Sequence, residues 1–161
     1  PNIASAENTA SLKSKSIQGL VIKVKDGDTI AILDSTMREH TIRLTGIDAP
    51  ESSQAFGKKS KWALSDLAYK KQVTVYYDAD DQYGRILGYV YAEGVDLNAE
   101  QVKNGMAWAY QTCNRYQQCK HNQDSKPYAQ IEQSAKTSGV GLWQDSDPVP
   151  PWAFRKSKKS F

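Results

Sequence analysis

The chain has 161 residues, a formal net charge of +3, 39% apolar residues and 24% charged residues. That length suits one domain around one core, and no apolar run approaches the roughly 20 residues of a membrane span. The mild positive charge permits an anionic partner without demanding one.

Residues 1–17 open polar and rich in small side chains, PNIASAENTASLKSKS, and read as a flexible arm. Neither a charged n-region nor an apolar h-region is present, so the sequence is expected to be a mature form with any secretion signal already removed. From there β signals dominate. Leu20–Val24 and Thr29–Leu33 are the first two expected strands, joined through Asp26-Gly27-Asp28. Asp-Gly at such a junction reads first as a hairpin turn that uses positive φ angles. Glu39–Ile47 alternates: Ile42, Leu44 and Gly46 share one face, and Thr41, Arg43 and Thr45 the other. Ala49-Pro50-Glu51 breaks the pattern.

A helix is expected over Phe56–Tyr69, with Phe56, Ala63, Leu64, Leu67 and Ala68 at helical spacing. Gln72–Tyr77 and Ile86–Ala92 are further strands, with a polar connection over 78–84. A short helix starts at Asn98, with Gln101 as its capping-box partner and Gly105 as its terminator. The last helix is expected over Pro127–Ser138, capped by Asp124 or Ser125, with Tyr128, Ile131 and Ala135 facing inward. The tail DPVPPWAFRKSKKSF, with its three prolines, is expected to run extended, and its basic cluster to be simply solvated. No internal repeat is present. Five short strands with helices after the third and at the end describe an α+β protein: a five-stranded OB-fold barrel with about three helices. The expected division is an arm at 1–17, the barrel domain at 18–145, and an extended tail at 146–161.

Cys113 and Cys119 stand close together in a polar stretch. A disulfide is the simplest reading and favours a secreted or periplasmic protein. Zinc is the rival, because His121 follows closely. Zinc wants four ligands, and the only other histidine, His40, is distant in sequence.

Four segments carry chemistry together: Asp26-Gly27-Asp28-Thr29, Arg43-Leu44-Thr45-Gly46-Ile47-Asp48-Ala49-Pro50-Glu51, Asp81-Gln82-Tyr83-Gly84-Arg85, and Leu97-Asn98-Ala99-Glu100-Gln101-Val102. Taken singly, Glu51 reads as a solvated loop carboxylate, Arg43 as an outward strand residue that can pair with Glu39, and Arg85 as the end of a turn. The Asp26–Asp28 stretch is not an EF-hand loop, because its fifth position is Ile30 and its twelfth Met37. In this order and spacing, the four segments resemble the staphylococcal (micrococcal) nuclease family over about residues 19–143. Each piece is weak alone, whereas the ordered set is specific.

The residue types suit phosphodiester hydrolysis, which needs an activated water, charge stabilisation on the equatorial oxygens, and help for the leaving oxygen. The resemblance implies a calcium site built from Asp28, Asp48 and the backbone carbonyl of Ala49, where many relatives carry threonine. Carboxylates are hard oxygen ligands suited to Ca²⁺. It implies Glu51 as general base through a water, and Arg43 and Arg85 as the phosphate clamp, a task that suits the planar guanidinium fork. Tyr83 and Tyr110 match positions beside the substrate. Three departures stand out: Gln82 replaces a lysine frequent before the tyrosine, the loop after Glu51 is short, and the cysteine pair sits in an insertion-like region. The implied activity is cleavage of DNA and RNA with little sequence preference, leaving 3′-phosphate ends, by a monomer with no membrane partner. The rival is a nucleic-acid-binding module on the same barrel without chemistry. Retention of both arginines, both aspartates and the glutamate speaks for the enzyme.

Overall fold

The structure, a computed structural model, describes residues 10 and 13–159. Along the described residues the strands and α-helices run in this order: β1 (Lys15–Asp26), β2 (Thr29–Leu33), β3 (Glu39–Leu44), β4 (Ile47–Asp48), α1 (Gly57–Ala68), β5 (Gln72–Asp80), β6 (Ile86–Ala92), β7 (Val95–Asp96), α2 (Leu97–Lys103), β8 (Trp108–Ala109), β9 (Gln111–Cys113), β10 (Cys119–His121), α3 (Ala129–Ser138) and α4 (Pro151–Lys158). The first nine and the eleventh and twelfth residues of the expected arm lie outside the described ones. Lys15–Ile17 already belong to β1, because they pair with Val75–Tyr77 of β5.

One long strand makes the barrel possible. β1 pairs with β5 through its first half and with β2 through its second, both antiparallel, with a register irregularity between Val21 and Lys23 that lets it turn from one neighbour to the other. The sheet order is β3-β2-β1-β5-β6-β7, and a parallel pairing of β3 with β6 closes it into a five-stranded barrel. Closure removes the exposed edges that an open sheet would carry. With the helices, this is the expected α+β OB-fold.

Alternation along the strands fills the barrel. Val21, Ile30, Ile32, Ile42, Leu44, Val73, Val75 and Val90 are all at most 1% exposed. α1 covers one end with Ser60, Leu64 and Ala68, and α2 adds Leu97, Ala99 and Val102.

Three polar residues tie these layers together. Asn98, fully buried, does not start α2. Its side chain accepts from Val90 N–H and donates to the carbonyls of Thr45 and Gly88. It thereby pins the sheet where β3 ends. Asp96 is the N-cap of α2 and accepts from Ala99 N–H. Gln101 is likewise not a capping partner. It is fully buried and donates to the carbonyls of Gly27 and Ser60.

Two further expectations change. Neither Asp124 nor Ser125 provides a side-chain cap for the last expected helix. A 3-10 turn at Lys126–Tyr128 leads into α3, and Ser125 bonds Asn122 instead. The tail is not extended, because residues 151–158 form α4. Pro151 suits the first helical position, because it has no N–H to leave unpaired and its φ is already helical.

Candidate active site

The turn between β1 and β2 holds the first site residue. Asp26 pairs with Thr29, so Gly27 and Asp28 form the two-residue link. Gly27 does not take the positive φ expected of it. It is glycine because the turn is pressed from two sides: a Cβ there would lie 1.8 Å from Ser60 Oγ and 2.9 Å from Ala49 Cβ. Gln101 holds its carbonyl from behind. The turn is therefore clamped between α1, α2 and the segment after β4.

Asp28 projects from this clamped turn into the space under β4. Its Oδ1 accepts from Thr29 Oγ1 at 2.9 Å, and its Oδ2 accepts from Ala49 N–H at 2.8 Å. Ala49 N–H thus links the first and second motifs directly. β4 pairs with β8, with Asp48 opposite Trp108, and this buries Asp48 to 1% exposure. Burial pushes the Asp48 carboxyl up, and the neighbouring guanidiniums of Arg155 and Arg43 pull it back toward the ionised form. Asp26, at the mouth of the turn, is also pushed up, first by burial and then by the charges of Asp28 and Glu51.

Arg43 reaches this pair because β3 alternates as expected and lies opposite Thr29 in the β2 register. Its Nη2 lies 3.4 Å from Asp28 Oδ2 and 3.3 Å from Asp48 Oδ1. One nitrogen bridges both carboxylates, so the two converge on a single cation position.

Arg85 arrives through barrel closure. The parallel register matches Ile42 with Ile86, which sets Arg85 just before the rung and Arg43 just after it. Asp81 orients Arg85: its carboxylate accepts from the backbone N–H of Tyr83 and Arg85 and takes Arg85 Nε at 2.8 Å. Partial desolvation works to raise the Asp81 carboxyl, but these bonds together hold it below the usual range. The Arg85 guanidinium also lies 5.4 Å from the centroid of Tyr83, a ring that is 73% exposed.

Glu51 sits on a loop held by short turns. Gln54 N–H donates to Glu51 O, and Gln54 Oε1 accepts from Glu51 N–H. Gly57 begins α1 where any Cβ would strike that same Glu51 carbonyl at 2.1 Å. One cleft is lined by Asp28, Asp48, Ala49, Glu51, Arg43 and Arg85, with Tyr83 and Tyr110 at its sides. Every residue of the candidate catalytic, metal and substrate set therefore meets in one place.

The donor chemistry fits a hard divalent cation. Two carboxylates converge, one of them fully buried, and their burial calls for positive charge. No group of three His, Cys, Asp or Glu side chains among the described residues is placed to hold a metal ion.

Cys113 and Cys119 form a disulfide across the β9–β10 hairpin, where they are opposite one another, so the zinc alternative falls away. His121 instead faces Glu132 at 3.8 Å. Glu132, 2% exposed, accepts from Ala109 N–H at 2.7 Å and supports β8. Its position on α3, one turn before Lys136, has the spacing of an ordinary surface pair in sequence.

Sequence reasoning missed Arg155 altogether. From α4 it reaches Asp48 Oδ1 at 3.1 Å, Asp48 Oδ2 at 2.6 Å and Glu51 Oε1 at 2.8 Å. The one available signal was Trp152 and Arg155 at helical spacing after Pro151, on a stretch too short and basic to read as amphipathic.

An OB barrel with two arginines, two converging aspartates and a loop glutamate in one cleft defines a class of phosphodiester hydrolases. Residues 41–145 match the model of the family described as staphylococcal nuclease homologue. The chain belongs to the staphylococcal nuclease family. It is 42% identical to an uncharacterized endonuclease of Haemophilus influenzae, over 86% of this chain and 73% of that protein. It is 43% identical to an uncharacterized endonuclease of Escherichia coli, over 88% of this chain and 87% of the relative. A micrococcal nuclease of Shigella flexneri is 37% identical, over 89% of this chain and 83% of its own length.

Proposed function

We propose that the protein is a calcium-dependent nuclease that hydrolyses DNA and RNA with little sequence preference and leaves 3′-phosphate ends. The observation that supports this most is the bridging of Asp28 and Asp48 by one Arg43 nitrogen beside Glu51. The same residues thus provide a cation position, a phosphate clamp and a base within one cleft.

Asp28, Asp48 and the Ala49 carbonyl would hold the ion. Bound there, Ca²⁺ supplies positive charge to the phosphoryl oxygens and makes a neighbouring water a better nucleophile. Glu51 orients that water and receives its proton on a carboxylate oxygen. Arg43 and Arg85 offer their guanidinium forks to the phosphate and neutralise the charge that grows on its oxygens at the transition state. The water oxygen bonds to phosphorus as the bond to the 5′ oxygen breaks; that oxygen takes a proton from solvent, and the phosphate stays on the 3′ side. Tyr83 and Tyr110 flank the cleft with flat rings on which bases can stack. Clamping a phosphate reads no base edge, which accounts for low sequence preference. The disulfide supports a secreted or periplasmic location. No helix among the described residues is long and apolar enough to cross a membrane, and we expect a monomer.

Digestion of single-stranded and duplex DNA, with Ca²⁺ and with EDTA, tests the reading. Cleavage should require the ion and fall by about two to four orders of magnitude in Glu51→Gln and in Arg85→Ala, the range typical of a lost base or charge stabiliser. Intact protein that binds DNA but cuts it under no divalent ion would instead be a binding module.

A further inference from the structure

α4 lies beyond the stretch that matches the family model, yet it supplies the shortest ion pair in the cleft. Both terminal nitrogens of Arg155 are committed to carboxylates. Nη1 is shared between Asp48 and Glu51, and Nη2 takes the other Asp48 oxygen. These are the oxygens that the proposed chemistry needs for the cation and the water. An oxygen facing a guanidinium is not free for an ion, and two cations in one pocket repel each other.

A second contact of α4 falls on the other half of the site. Trp152 packs edge-on against Trp108 at 5.5 Å and against Tyr110 at 6.1 Å, the ring expected beside the substrate. Gln54, which holds Glu51, also donates to the carbonyl of Val149 just before α4. The helix is therefore anchored at its start by Trp152 and enters the cleft one turn later through Arg155. We propose that α4 is a built-in plug whose Arg155 takes both oxygens of Asp48, one of the two carboxylates of the proposed cation position, so that the divalent ion must displace it to bind.

This inference rests on reading the cleft as a cation-dependent nuclease centre. Its consequence is thermodynamic. The apparent ion affinity of the intact chain is the intrinsic affinity reduced by the fraction of molecules whose plug is out. Removing the guanidinium abolishes that competition. A bidentate, charge-assisted contact is among the stronger side-chain interactions, so the effect should be large enough to measure.

Calorimetric titration of the whole protein with Ca²⁺ alone tests the plug. Arg155→Gln should bind Ca²⁺ at least about tenfold more tightly than the unaltered chain. Trp152→Ala, which frees the helix without touching a carboxylate, should shift the affinity in the same direction. Equal affinities in all three proteins overturn the plug, as does weaker binding in Arg155→Gln. Absence of Ca²⁺ binding in all three overturns it too. DNA digestion by the same preparations separates the two readings. Calcium-dependent cutting with unchanged affinities removes the plug alone, whereas cutting that persists in EDTA removes the calcium-dependent centre with it.

Discussion

Single side chains in this protein act through what lies behind them. Gly27 looked like a turn glycine chosen for its φ, yet its conformation is open to other residues. Its lack of a Cβ matters because Ser60 and Ala49 already occupy that space. Ser60 cannot yield freely, since its Oγ donates to Met106 O at 2.6 Å. Gly27→Ala should therefore destabilise the fold by about 1–3 kcal/mol, the usual cost of overpacking. Urea unfolding of the variant checks this, and an unchanged midpoint would show that the turn is looser than its contacts imply. Such crowding is illegible in sequence, because Gly27, Ala49 and Ser60 come from three separate segments.

At the scale of elements, the β9–β10 hairpin and α4 flank the cleft in different ways. The hairpin follows directly from β8, whose neighbour Tyr110 donates its N–H to Gly46 O. The disulfide closes only a short loop in an exposed hairpin. The chain-entropy model then sets a ceiling of about 2 kcal/mol on its contribution. A Cys113→Ser, Cys119→Ser double variant should lose no more than that in global stability. Its faster amide exchange should be confined to residues 111–121, while the amides of β4 remain protected. Exchange that spreads into β4 would mean that the hairpin also braces Asp48. The expected extended tail failed for a similar reason of context. Eight residues form a marginal helix alone, and α4 persists because Trp152 finds Trp108 and Arg155 finds two carboxylates.

Across the whole molecule, burial of charge sets how stability responds to pH. Asp96 caps α2, is 5% exposed and lies 3.4 Å from the Tyr128 hydroxyl. Desolvation pushes its carboxyl up to about 6, more than the bonds from Ala99 and Tyr128 pull it down. The folded state therefore holds this proton more tightly than the unfolded chain does. The resulting stabilisation is fully present below about pH 4 and is lost as pH rises through about 6. Asp96→Asn keeps an acceptor for the cap and removes the titration. The stability difference between the unaltered chain and this variant should shift against the unaltered chain by on the order of 3 kcal/mol from pH 4 to pH 7. Thermal melts across that range measure it, and a pH-independent difference would place the Asp96 proton at the ordinary carboxylate value.

Local pattern was enough for much of this protein. Runs of β-forming residues located β2 and β6 to the residue, and alternation put Arg43 on the face opposite Ile42 and Leu44, because the period of a strand is a local property. The four ordered motifs named Asp28, Arg43, Asp48, Glu51, Tyr83 and Arg85, which meet in the cleft. Only the tertiary structure decided how they meet. The parallel β3–β6 pairing that brings Arg85 beside Arg43 joins strands far apart in sequence. The buried roles of Asn98, Gln101 and Glu132 exist only once distant backbone groups arrive to bond them. Arg155 is the clearest case. In sequence it is one basic residue in a basic tail, and its meaning comes from two carboxylates about a hundred residues earlier. Propensity and periodicity read neighbours along the chain, whereas charge pairing and close packing read neighbours in space.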